Sequence, residues 1–372
     1  MIKKIIIILL IFILTGCYDH QELNDIAILT ATEINKIDNE FIINVEIVNP
    51  KKEESNEMPF VIYQSKGKTI QESYRMLKLN TSRYIYPDHL RIVIINENLA
   101  KEDISEVLDF YLRNPLSRTE FKILISKDEN ILNPINPIEP ISSNSILDTL
   151  ETNRNYLGIS NLVTLNDLTS MKLNPHTEIV LPSIKLDNTI KNIEKPNYSL
   201  DGLAIFKDNK LKGYLTIDES ITYNLIKNNL HNTIITYECE KDKYLSLEII
   251  NYKSITSIKN KEINIDIPIT STINESLCNI DYNNQKDINK LENNLNTYLS
   301  RTITKNINHI KKEYNSDIFG FLDIIYKQDY NFYQEVKNSW YQNDFQNIKV
   351  NINPKIKIIS KGKIMEGINE KN

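Results

Sequence analysis

Glycine is scarce in this chain, 8 of 372 residues, and cysteine and tryptophan are scarcer still at 3 and 1. Phosphate cradles and turns that hug a ligand draw on glycine's freedom at positive φ, so a nucleotide-binding loop has little to be built from. Neither GxGxxG nor GxxxxGK[ST] occurs, and HExxH, paired CxxC and GxSxG are absent as well. The five histidines, His20, His89, His176, His231 and His309, lie far apart, with no pair at helical metal-ligand spacing. Carboxylate pairs leave no spacing signature, yet nothing here raises a hydrolase. The expectation is a protein with no catalytic residues, no cofactor and no metal site.

A block of one charge is also missing. Lys and Arg number 44 against 49 Asp and Glu, and without Lys3 and Lys4 the balance is 42 − 49 = −7. That offers no basic face, so nucleic acid is not an expected partner. After residue 16 no apolar run approaches the length of a membrane span.

What is present begins at the first residues. Lys3 and Lys4 precede the apolar run IIIILLIFIL, followed by Thr15, Gly16 and Cys17. As a helix the run reaches about 15 Å, roughly half a bilayer core, which suits an export signal better than a permanent span. Leu14-Thr15-Gly16-Cys17 has the shape of the bacterial lipobox. In that chemistry diacylglycerol is attached to the cysteine thiol and a peptidase cuts after the glycine. The expectation is a signal peptide over 1–16, cleavage between Gly16 and Cys17, and an extracytoplasmic body held to a membrane by lipid on Cys17. Cys239 and Cys278 then remain. They are open to pairing in an oxidising compartment, although two buried free thiols are the commoner arrangement.

Along the chain, period-two runs at 25–34 and 40–48 place Phe41, Ile43, Val45 and Ile47 on one face, joined by a hairpin-length segment. A strand at 59–66 leads to a helix capped at Thr69 with Glu72 at capping-box spacing. A strand at 90–96, a helix at 101–113 and a strand at 120–126 follow, an order that permits parallel pairing. NPINPIEP at 133–140 admits neither regular helix nor central strand. Helices at 144–153 and 165–173 precede a strand near 178–185, and a division is expected at 190–198, giving regions 17–195 and 196–372. The second region reads as a hairpin turning at Asp208-Asn209, a helix capped by Thr216 and Glu219, and strands at 231–238, 244–252, 254–260 and 262–272, the last weakened toward an edge by Pro268. A long helix at 286–314 carries the stripe Ile288, Leu291, Leu295, Leu299, Thr302, Asn306 and Ile310. A short helix at 317–327 and a strand pair at 348–359 close the chain. The class is α+β: an elongated, multi-domain ectodomain of mixed and antiparallel sheets packed by helices.

Five segments together resemble the Ger(x)C family, the C-subunit lipoproteins of spore germinant receptors. They are CYDHQELNDIAILTA from Cys17, TSRYIYPDHLRIVII from Thr81, FYLRNPLSRTEFKILIS from Phe110, DGLAIFKDNKLKGYLT from Asp201, and YNSDIFGFLDII from Tyr314 with Trp340 and Phe345 behind it. They occur in the family's order and cover essentially the whole mature chain. Tyr18 replaces a tryptophan usual after the lipid cysteine, and Tyr330-Asn331 stands where the family more often has proline. The resemblance implies a non-enzymatic receptor subunit on the outer face of the spore inner membrane, working with two polytopic membrane subunits. The transporter-like one of these is thought to recognise the small-molecule germinant. It also implies three α/β-type domains, two of them within 17–195.

Arg91, Arg113, Asn114 and Arg118 are the residues best suited to meet a partner, since arginine forms bidentate hydrogen bonds and is enriched at interface hot spots. The plainer reading has Asn114-Pro115 ending a helix and the arginines paired within the fold. Asp317 is an expected N-cap, and Phe319, Trp340 and the long helix stripe are expected in the core. A rival reading is a solute-binding lipoprotein of a transporter, which shares the anchor but has two doubly wound lobes about a hinge. A secreted cell-wall hydrolase, the third possibility weighed, has no residue constellation in its favour.

Overall fold

A computed structural model describes residues 26–48, 60–114, 118–132, 139–187 and 197–360. The leader, Gly16, Cys17 and most of NPINPIEP lie outside these. Helix and strand are mixed in an α+β architecture built on two sheets.

Strands β1 (Ile26–Ile37) and β2 (Glu40–Val48) pair antiparallel across Asp38 and Asn39. Both turn residues sit at positive φ, 49° and 64°, as a tight hairpin that keeps the strand twist requires. β3 (Phe60–Gly67) adds to β2. Thr69 then caps α1 (Ile70–Met76), its hydroxyl accepting from Glu72 N–H at 3.1 Å, while the Glu72 carboxylate accepts from Lys68 N–H rather than closing the box on Thr69. A single 3-10 turn, Leu77–Leu79, leads to the short β4 (Tyr84–Tyr86) and to β5 (Ile92–Asn96).

The helix expected at 101–113 is two helices, α2 (Glu97–Glu102) and α3 (Ser105–Arg113). Asp103 breaks them apart: its backbone is extended, and its carboxylate accepts from Ser105 N–H at 2.7 Å. Beyond them come β6 (Lys122–Ser126), α4 (Ser142–Tyr156), α5 (Leu165–Leu173) and β7 (Val180–Asp187). β1, β5, β6 and β7 run parallel to one another. β8 (Asn197–Lys207) and β9 (Lys210–Tyr214) continue the same sheet antiparallel, so its hydrogen bonding extends past 196 to Tyr214. The order is β3-β2-β1-β5-β6-β7-β8-β9, with β4 beside the start of β1.

Both faces of this sheet are covered. On one, Leu29, Ile34, Val93, Ile95, Ile123 and Ile125 pack under α1, α2, α3 and α5. On the other, Ala31, Ile92, Ile94 and Leu124 meet Ile146, Leu147 and Leu150 of α4.

The second sheet follows α6 (Ile217–Ile226), whose Thr216–Glu219 capping box is complete. It comprises β10 (Ile234–Glu240), β11 (Lys243–Tyr252), β12 (Ile255–Lys259), β13 (Glu262–Ser276) and β14 (Val350–Ser360). The strand pair expected at 348–359 is the single β14, which runs parallel to β13 because the intervening helices carry the chain back to the same end. β13 is therefore interior, and Pro268 is tolerated where pairing on one side passes from β12, ending at Asp266, to β11, resuming at Ile269. The stripe of α7 (Gln285–Tyr314) buries Ile288, Leu291, Leu295, Leu299, Ile303 and Ile310, with Ile303 taking the place expected of Thr302. It packs with Ile263, Ile265, Ile267 and Ile269 of its own sheet. α8 (Phe321–Gln328) and α9 (Tyr330–Val336) complete the core around buried Trp340 and Phe345.

Cys239 and Cys278 are not free thiols. They form a disulfide between β10 and the turn before α7, with Cα atoms 6.1 Å apart. Strand pairing of β10 to β11 and of β11 to β13 brings together residues 39 apart in sequence. Closing such a loop restrains the unfolded chain by about 4 kcal/mol in the entropic account.

Candidate functional site

Parallel strands begin at the same end of a sheet, and this gathers the four sequence-selected residues. Arg91 immediately precedes β5, and Arg118 lies four residues before β6. Arg113 and Asn114 end α3, which returns antiparallel between those two strands. The same end holds Ile26, where β1 starts, paired with Tyr84 of β4. Ile26 follows Cys17 by nine residues in the sequence.

Arg91 is fixed by its backbone, its N–H donating to Thr30 at 2.9 Å and its carbonyl accepting from Lys122 N–H at 2.8 Å. Its guanidinium donates to the Asn144 side chain at the start of α4. Arg118 faces Asp88 at 4.0 Å, and Asp88 accepts the Tyr86 hydroxyl proton at 2.6 Å. That hydrogen bond holds the Tyr86 phenol above its ordinary pKa. Arg91 and Arg118 line one open cavity of about 630 Å³, with His89, Glu120 and Glu151 also on its wall.

Arg113 and Asn114 line a different depression of about 760 Å³ between α1 and α3, with Phe41, Ile70 and Phe110 as its apolar part. Arg113 bonds Asp109 one turn back at 2.7 Å, and its side chain is 79% exposed. Gln71, Phe110 and Asn114 also border a smaller cavity of about 350 Å³ reaching Tyr74, Tyr84 and Leu90, so the two depressions form one groove. Tyr74 stacks on Phe110 with centroids 5.4 Å apart. Beneath the groove Thr32, Tyr74 and Tyr111 link their hydroxyls at 2.6 and 3.1 Å, and burial pushes both phenols upward in pKa.

The structure thus brings the four residues to one end of the sheet but divides them between two neighbouring depressions. The groove residues Gln71, Tyr74 and Phe110 carry no sequence signal beyond helical spacing, and only the packing of α1 against α3 brings them to one groove. Among the described residues no group of three or more His, Cys, Asp or Glu side chains is placed to hold a metal. No described helix is long and apolar enough to cross a membrane.

Two family descriptions match in order along the chain. "Spore germination protein N-terminal domain" covers residues 19–186, and "Spore germination B3/GerAC like, C-terminal" covers 201–362. The chain belongs to the Ger(x)C family. Among Ger(x)C relatives, spore germination protein KC of Bacillus subtilis (strain 168) is 27% identical over 368 residues, spanning 90% of this chain and 89% of that one. Spore germination protein B3 of the same organism is 23% identical over 362 residues, spanning 91% and 92%. The crystal structure of the GerBC protein superposes with a TM-score of 0.53 at 17% identity, covering 88% of this chain and 96% of that one, a likeness of fold.

Proposed function

We propose that the protein is a non-enzymatic, lipid-anchored subunit of a spore germinant receptor, required for receptor assembly and for the response to small-molecule germinants. One observation carries the reading: the lipobox leads within a few residues into a chain matched by both halves of the Ger(x)C family. Lipid on Cys17 would hold the folded body at the outer face of the spore inner membrane. Two acyl chains suffice for stable anchoring where one is marginal. Arg91, Arg113, Asn114 and Arg118, at the end of the sheet nearest the anchor, are the proposed contacts to two polytopic membrane subunits.

Replacing Cys17 with Ala tests the anchor. The variant should leave the lipid-modified pool, and spores carrying it should lose most of their response to the receptor's germinant. Normal germination with a protein that lacks thioether-linked lipid would overturn the reading.

A further inference from the structure

Next to the start of β1 the fold exposes apolar and basic side chains together. Met76 and Leu79 are three residues apart across the junction of α1 and the 3-10 turn, where such spacing places side chains on one side, and Leu79 is 75% exposed. Arg75 and Lys78 repeat the spacing beside them, and Lys78 Nζ lies 5.6 Å from the centre of the exposed Tyr84 ring. Arg83 adjoins that tyrosine. Among the described residues no ion pair joins a carboxylate to Arg75, Lys78 or Arg83, so the patch presents three cationic side chains.

From this juxtaposition we propose that the patch is a second membrane contact: it lies against the anionic headgroups of the bilayer, with Leu79 and Met76 entering the interface and Arg75, Lys78 and Arg83 meeting lipid phosphates. The position argues for lipid over a protein partner. Tyr84 is the register partner of Ile26, and only eight residues separate Ile26 from Cys17, a reach of about 30 Å at full extension. A lipid on Cys17 therefore keeps this end of the sheet within about 30 Å of the headgroup layer. Exposed aliphatics beside an aromatic ring and cationic side chains are the composition that such a layer accepts. The contact fixes which way the body stands on the membrane, which attachment at a single residue does not.

The inference rests on the proposed anchor only for which end faces the bilayer, and its test is independent of the anchor. The mature chain from Tyr18 to Asn372, made without its leader and so without lipid, keeps every described residue. It should partition onto vesicles of equal parts phosphatidylglycerol and phosphatidylcholine, less so as salt rises, and not onto phosphatidylcholine alone. Each basic side chain contributes about fivefold, so Arg75→Gln, Lys78→Gln and Arg83→Gln combined should weaken partitioning about a hundredfold. In a Leu79→Trp variant the new indole should shift to the blue on anionic vesicles, against the background of the buried Trp340. Absence of partitioning, or partitioning unchanged in the triple variant, overturns the proposal. A blue shift of the introduced indole seen only when the vesicles contain the polytopic receptor subunits would overturn it in favour of a protein interface. Normal germination in the Cys17→Ala experiment would leave the vesicle result standing, so the two readings fail separately.

Discussion

The carboxylate of Glu46, buried on β2, accepts the backbone N–H of Ser142 at 2.7 Å and thereby closes the start of α4. Its other oxygen accepts from Ser143 N–H at 3.2 Å and from the Thr30 hydroxyl at 2.7 Å. A strand residue 96 positions away thus does the work of an N-cap, and its charge meets the positive end of a fifteen-residue helix. Glu33 plays a related part beside it, accepting from Asn44 at 2.9 Å and from Ile131 N–H at 3.4 Å, with burial raising its pKa.

Removing this cap should be costly. Glu46→Ala strands the buried Ser142 and Ser143 N–H groups and leaves the Thr30 hydroxyl only the backbone carbonyl of residue 46 at 3.3 Å, so about 3 kcal/mol or more of stability should be lost, whereas Glu46→Gln keeps one acceptor and should lose less. Urea unfolding of the mature chain measures both. An alanine variant within about 1 kcal/mol of wild type would mean that water or rearrangement satisfies those donors.

Asp317 yields a pH dependence of definite sign. It is fully buried, accepts Phe321 and Leu322 N–H at 2.9 and 2.8 Å, and is pushed by burial from an ordinary 3.8 up to about 6. The same low-dielectric region depresses the Lys227 and Lys311 ammonium groups. An acid raised by folding binds more protons in the native state than in the unfolded one. Its contribution is therefore fully present below about pH 3.8 and is lost as pH climbs through about 6. The unfolding free energy of wild type minus that of Asp317→Asn should fall by about 2–3 kcal/mol between pH 4 and 6. A flat difference across that range would show that Asp317 is ionised throughout.

Most of the elements were legible because their signals are local. The hairpin-length segment before β2, the Asp208-Asn209 turn, the capping residues Thr69 and Thr216, and the α7 stripe each act within a few residues. What was not legible depends on distant partners. Alternation on β2 marks Phe41, Ile43, Val45 and Ile47 as the inward face and so leaves Asn44 and Glu46 for solvent. Yet α4 and the segment at Ile131-Leu132 cover that side, and both polar residues are buried. The disulfide escaped for the same reason, since only the β10-β11-β13 order brings its cysteines together. At the candidate site residue type singled out the arginines, but their division between two depressions follows from strand order and from where α3 ends.

Arg113 separates the two readings of that cluster most cleanly. Its ion pair among the described residues, with Asp109 on the same helix, is exposed, and pairs of that kind contribute about 0.3–0.5 kcal/mol. If pairing within the fold is its whole role, Arg113→Ala should unfold at nearly the wild-type urea midpoint and support normal germination. If it meets a membrane subunit, stability should again be unchanged, but the germination response should drop and the receptor subunits should copurify less. Arg91 cannot be used this way, because its bond to Asn144 ties β5 to α4 and its loss would mix stability with binding. We expect the second outcome for Arg113; a variant that germinates and copurifies as wild type would remove it from the partner surface.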